Sequence, residues 1–299
     1  VTGIDAALIG NFGTTMDHVG NSSKFQITYA TTNVALSLAD AATLAGKTGK
    51  ANSITYTAGI TATDGTDLSN GSGTASTNFA AVVAKDTDVN ISITNAVNDA
   101  ADIDGLNTAN GSSGTTGTIT ATVSDDGAAV KTLAIGRIGR SKAKNNITVT
   151  VTDAVDFTVA EYQALDDVVK AGNTIDLTTN NSKISDTLSA LHTGRATTIA
   201  AAVADDGDIK VEVNDGPITT ATNLSKLNDI AAVVGAGGLI ATATASASIL
   251  TNAGSGYTSL SNADNIDINV VGSANAAQLA MLAADTKDAN TVDVSVGIS

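Results

Sequence analysis

Ile147-Thr148-Val149-Thr150-Val151-Thr152, followed after a short polar turn by Thr158-Val159-Ala160-Glu161-Tyr162-Gln163-Ala164-Leu165-Asp166-Asp167-Val168-Val169, decides how this chain is read. In the first segment aliphatic and hydroxyl side chains alternate, the period-2 signature of a strand with one buried and one wet face. Ile147, Val149 and Val151 point inward, and Thr148, Thr150 and Thr152 outward. In the second segment Val159, Tyr162, Leu165 and Val169 share one helical face. Thr158 and Glu161 have capping-box spacing, and Gly172-Asn173 stops the helix. The unit is a strand, a polar turn, a short helix and a return.

The same unit recurs on both sides. Alternating strands are expected at Phe25–Tyr29, Ile54–Thr57, Asn90–Thr94, Thr118–Val123, Thr174–Leu177, Ile209–Val213, Leu239–Thr244, Ile266–Val270 and Thr291–Val296. They are spaced by roughly 30 residues, a period typical of solenoid units. Only in Leu239–Thr244 can either parity face the core. Further helical stretches are expected at Ser182–Leu191, Thr222–Val234 and Ser273–Ala284. Between residues 54 and 146 the chain is Gly-rich and reads as more purely β, with Asn70–Gly73 and Asn110–Gly114 as loops. Connections of this length join parallel strands, since antiparallel neighbours need only a tight turn.

The pattern predicts a β-rich α/β repeat: a right-handed solenoid of roughly ten strand-turn-helix coils with a parallel sheet on one face. Residues 1–24 read as the helical half of a first coil, 25–146 as a Gly/Thr-rich β-solenoid half, and 147–299 as a β/α half ending in a strand. The alternative is a pair of β-rich domains meeting near residue 146.

Composition narrows the chemistry. The chain has 299 residues, 42% hydrophobic, so a large core is available, but only 3% are aromatic and none is Trp. Ala, Val, Ile and Leu in this proportion suit thin, regular layers. With no Cys there is no disulfide, thiolate nucleophile or cysteine zinc site. Lys and Arg number 15 against 30 Asp and Glu, and the net charge of -15 repels nucleic acid and anionic membranes. No apolar run reaches the roughly 20 residues of a membrane helix. Glu161 and Glu212 are the only glutamates; an acid content that is nearly all Asp signals turns and caps.

Motifs of catalysis are missing. Gly46-Lys47-Thr48 lacks the earlier Gly of a phosphate loop, Gly235–Gly238 reads as a helix stop, and His18 and His192 have no evident nucleophile beside them. No enzymatic activity is expected. Calcium is the one cofactor the sequence offers, at the Gly turns carrying Asp64 and Asp67, Asp125 and Asp126, and Asp205, Asp206 and Asp208. Solvated turn aspartates are the plainer reading of the same residues. Outward Thr-x-Thr pairs suggest an ice-binding face, but Gln26, Ser92, Asp176, Lys210, Glu212, Asp267 and Asp293 interrupt it.

Neither end carries the polar cap of a finished solenoid. Ile4, Leu8, Ile9 and Phe12 at one end and Val292, Val294 and Val296 at the other are therefore expected to form an assembly interface. Through it, copies stack head to tail, or flanking repeats of a longer chain continue the array.

Ile147–Asp153, Asp208-Ile-Lys-Val-Glu-Val-Asn-Asp-Gly216 and Ser273-Ala-Asn-Ala-Ala-Gln-Leu279 resemble the repeats of very large secreted surface proteins of cyanobacteria and marine bacteria, of the S-layer, adhesin and swimming-associated types. The resemblance implies an extracellular structural role and carries over no functional residue. The expected function is a subunit or segment of an extracellular filament, sheath or surface layer. The alternative is an adhesin or phage-fibre module that grips surface glycans through its Thr/Asn/Asp face.

Overall fold

A computed structural model describes residues 27–29, 34–47, 54–69, 75–107, 117–135, 145–169, 171–177, 181–235, 238–251, 265–285 and 292–294. The chain is an α/β fold of parallel sheets and helices. It divides into two compact units, residues 1–152 with 167–174, and residues 153–166 with 175–299.

The first unit contains β1 (Ile27–Tyr29), β2 (Leu36–Ser37), α1 (Leu38–Gly46), β3 (Ile54–Tyr56), β4 (Ile60–Ala62), α2 (Gly65–Leu68), α3 (Thr77–Val83), β5 (Ile91–Ile93), α4 (Ala100–Asn107), β6 (Ile119–Asp125), α5 (Gly127–Ile135) and β7 (Asn145–Val151). Strands β2, β4, β5, β6 and β7 are neighbours in that order, every pair parallel, and β1 pairs with β3. Helices between the strands supply the length that a parallel return requires.

The second unit contains α6 (Val159–Asp166), β8 (Ile175–Asp176), β9 (Ile184–Asp186), α7 (Leu188–Gly194), a π-helical turn (Arg195–Ile199), α8 (Ala200–Asp205), β10 (Val211–Val213), α9 (Ala221–Val234), β11 (Leu239–Ala245), α10 (Ala247–Leu250), β12 (Asn265–Val270), α11 (Ala276–Asp285) and β13 (Val292–Val294). Its strands β9 to β13 are parallel neighbours in chain order.

Register aligns like with like. On the inner face Ile60, Ile91 and Ile119 stand side by side, as do Val123 and Val149, all of them buried. In the second unit Ile184, Val211 and Leu239 form one inner row, and Ala241, Ala243 and Ala245 meet Ile266, Ile268 and Val270. Each fully buried Val, Leu or Ile contributes about 1.5–3 kcal/mol. This packing settles the strand whose parity was open: Ala241, Ala243 and Ala245 face inward, and Ile240, Thr242 and Thr244 outward.

The outer rows of the two units differ. In the first, Thr61, Ser92, Thr120 and Asn146 form a row, with Thr122 beside Thr148 and Ser124 beside Thr150. In the second, Ser185, Glu212 and Ile240 are aligned, Asp267 sits beside Thr242, and Asn269 lies between Thr244 and Asp293.

Three short strands have no counterpart in the sequence reading: β2, β4 and β9. Ser182–Leu191 is not one helix. Ile184 donates its backbone N–H to the Lys210 carbonyl at 2.9 Å, as a strand does, and Thr187 then starts α7 by accepting from the Ala190 N–H at 3.2 Å. The Gly-rich region from 54 to 146 is also less purely β than expected, since it holds α2, α3, α4 and α5. Ser76 caps α3 by accepting from the Phe79 N–H at 3.2 Å. Successive helices pack on one another, α1 on α3 and α4 on α5 in the first unit, and α7 on α9 in the second. Phe79, Ile103, Val130 and Leu133 thereby become core.

Candidate functional site

The first turn of a helix leaves backbone N–H groups without intrahelical partners. At α6 the expected capping box is present: Thr158 Oγ1 accepts from the Glu161 N–H at 3.2 Å, and Glu161 Oε2 from the Thr158 N–H at 2.8 Å. The N–H of Val159 goes elsewhere, to Asp186 Oδ2 at 3.1 Å, and Asp186 ends β9, the second strand after α6. The arrangement recurs. Asp125 at the end of β6 accepts from the Ala100 N–H at the start of α4 at 2.7 Å, and Asp215 just past β10 accepts from the Leu188 N–H at the start of α7 at 3.1 Å. A carboxylate at a helix N-terminus also meets the positive end of the helix dipole.

A second set of carboxylates ties strands. Asp86 follows α3 and accepts the backbone N–H of Tyr56 at 2.7 Å; Asp206 follows α8 and accepts that of Leu177 at 3.1 Å. Both are buried. Burial raises both, helped by the negative charge of the aspartate two residues on, Asp88 or Asp208, and Asp86 is pushed up to about 6.

Of the proposed calcium ligands, Asp64, Asp67, Asp125, Asp126, Asp205 and Asp206 each accept a hydrogen bond from this chain. Asp67 Oδ2 accepts the N–H groups of Thr63 and Asp64 at 3.0 and 3.1 Å, and Asp64 Oδ1 accepts from Asn95 Nδ2 at 2.6 Å. Asp125 Oδ1 accepts the Asp126 N–H, and Asp126 Oδ1 the Ala129 N–H, each at 2.8 Å. Asp205 Oδ2 accepts from the Tyr162 hydroxyl at 3.2 Å. Among the described residues no three His, Asp or Glu side chains are grouped so as to hold a metal ion.

Of the residues expected at an assembly interface, Val292 and Val294 lie on β13, half-buried, with β12 as neighbour. Ile4, Leu8, Ile9, Phe12 and Val296 lie outside the described residues, as do Asn70–Gly73 and Asn110–Gly114. His192 Nε2 is 2.9 Å from Asp229 Oδ2, with Arg195 Nη2 at 3.8 Å from the same oxygen, a partly exposed polar cluster on α7, the π-helical turn and α9.

In the second unit a shallow groove of 620 Å³ is bordered by Val159, Gln163, Asp186, Thr193 and Thr197. Its floor is tight, because a Cβ on Gly194 would lie 2.6 Å from Val159 Cγ1. No helix among the described residues is long and apolar enough to cross a membrane. No family model, no curated protein and no solved structure matches this chain.

Asp86, Asp186 and Asp215 escaped the sequence reading, because a carboxylate bound to a distant backbone N–H leaves no local motif. One signal was legible. Asp-x-Asp followed by alternating aliphatics occurs at Asp86-Thr-Asp-Val-Asn-Ile-Ser-Ile93 and again at Asp206-Gly-Asp-Ile-Lys-Val-Glu-Val213.

Proposed function

We propose that the chain is a structural segment of an extracellular filament, sheath or surface layer, built as a right-handed β/α solenoid of roughly ten coils. Coils stack on coils, and copies or flanking repeats continue the stack through its end layers. The observation that carries this reading is the use made of the acids: in both units the turn aspartates bind backbone N–H groups 25 to 30 residues away in sequence. Side chains spent in this way hold a repeat together. Strands β4 to β7 and β9 to β13, which pair in chain order with aliphatic residues aligned on their inner faces, support the same reading.

Immunogold labelling of the producing cells tests the location and role. A regular coat or fibre on the outer surface is expected; label confined to the cell interior would overturn the reading.

A second reading, a module that binds neutral glycans, is favoured by one observation. The outer rows of β4 to β7 carry Thr, Ser and Asn with no charged side chain, whereas the second unit places Glu212, Asp267 and Asp293 on its outer rows. Glycan-array binding that Thr122→Lys abolishes would support it; binding untouched by that change would remove this face from consideration.

A further inference from the structure

Residues 276–284 of α11, Ala-Ala-Gln-Leu-Ala-Met-Leu-Ala-Ala, carry no charge, in a chain whose net charge is -15. A helix that is apolar all round is ordinarily buried all round. Here only Leu282 is buried, while Ala277, Ala280, Met281 and Ala284 are exposed, Met281 by 48%. Among the described residues two other large apolar side chains are as open: Val34, which leads into β2, and Val271, which follows β12. Strand β2 lies at an edge of the six-stranded sheet; Val271 and Met281 lie between β12 and β13, and β13 is at an edge of the five-stranded sheet.

Within the second unit the helices form a continuous layer, α7 on α9, α9 on α10 and α10 on α11. The exposed face of α11 is where one more helix continues that layer. Strand β13 ends the sheet in the same way, with β12 on one side and, among the described residues, no strand on the other. The chain itself contains a segment that fits. Ile4, Leu8 and Phe12 recur every fourth residue, which places them in one row at helical period. From residue 1 to residue 16 the only charged side chain is that of Asp5, one position off that row. Large side chains of this kind pack best over a surface of small ones, and alanines supply it.

We propose that the Ala/Met face of α11 is the docking surface for residues 4–12 of a second copy of this chain. The inference rests on the filament reading and names the surface that receives the next copy. Two copies of net charge -15 repel each other, so an uncharged patch is where they approach most easily. The contact joins different surfaces of the two copies. Each bound copy therefore presents its own α11 to a further one, and the stack grows in one direction.

The chain has no Cys, so Met281→Cys and Leu8→Cys each introduce a single thiol. The two variants are mixed at a concentration at which the unaltered chain forms filaments, oxidised gently, and the linked peptides identified by mass spectrometry. With one thiol per copy, a disulfide between positions 281 and 8 can only join two copies. That link is expected in large excess over 281-to-281 and 8-to-8 links, and is expected to be absent when Thr148→Cys, on the outer row of β7, takes the place of Leu8→Cys. Filaments without the 281-to-8 link, or with position 148 linked equally well, overturn the docking site and leave the filament reading standing. Single particles of the unaltered chain at every concentration overturn that reading and this contact with it. Ala280→Lys decides should the Cys variants not fold. It is expected to melt at the unaltered temperature, since the position is exposed, and to need about tenfold more protein to assemble, since its charge becomes buried at the contact. Assembly of that variant at the unaltered concentration overturns the docking site.

Discussion

Val159 and Asp186 are 27 residues apart, and the backbone N–H of one donates to the carboxylate of the other at 3.1 Å. The bond joins the first turn of α6 to the end of β9. Helix α6 has only eight residues, too few to be stable alone in water. Its start is fixed from within by Thr158 and Glu161 and from β9 by Asp186. Local helix and non-local strand thus form together, and the repeat acquires a bond that neither element makes by itself.

Asp186→Ala is accordingly expected to cost about 1–2 kcal/mol, the range for losing a helix cap. Urea unfolding measures it. A cost near zero would mean that water replaces the carboxylate at the helix start.

The inner and outer rows predict opposite sensitivities on adjacent residues. Ile147 is fully buried and Thr148 faces the outer row. Ile147→Ala is expected to cost about 2–5 kcal/mol and Thr148→Ala no more than about 1 kcal/mol. Equal costs would show that the parity of β7 is assigned wrongly.

Gly117 precedes β6 where the chain passes over the entry to β5, and a Cβ there would meet the carbonyl oxygens of Asp88 and Val89. Gly238 does the same before β11, with a Cβ 2.9 Å from the Ile209 carbonyl oxygen. Backbone cannot yield as a side-chain tip can. Gly117→Ala is expected to destabilise more than Gly172→Ala, where space is open and only the positive φ of 90° resists; the latter costs about 1 kcal/mol. The order of the two melting temperatures checks this.

Asp125 separates a backbone cap from a cation ligand. If the carboxylate serves Ala100 and Asp126, Asp125→Asn, which keeps one acceptor oxygen, is expected to lose less stability than Asp125→Ala. Millimolar calcium should then shift the melting temperature of neither variant differently from that of the unaltered chain. A calcium-dependent rise that Asp125→Asn abolishes would assign the residue to a metal instead.

The strands and their parity were legible because burial on one face forces a period of two, as at Ile147, Val149 and Val151. Long helices such as α9 were legible for the same reason at helical period, with Leu224, Leu227, Ile230 and Val234 buried. The two- and three-residue strands β2, β4 and β9 were not, since so few residues establish no period. Helices α2 to α5 were hidden by Gly, Thr and Asn, whose weak helix propensity is overridden by packing of Phe79, Ile103 and Leu133. The turn aspartates were visible as residues but not as ties. Their partners are backbone groups in another repeat, set by fold register and not by neighbouring sequence.

Negative-stain electron microscopy of the purified chain across a rising concentration series tests the structural reading most directly. Filaments or sheets that lengthen with concentration, and that fail to form when Val292 and Val294 are replaced by Asp, are the predicted result. Uniform single particles at every concentration would contradict it.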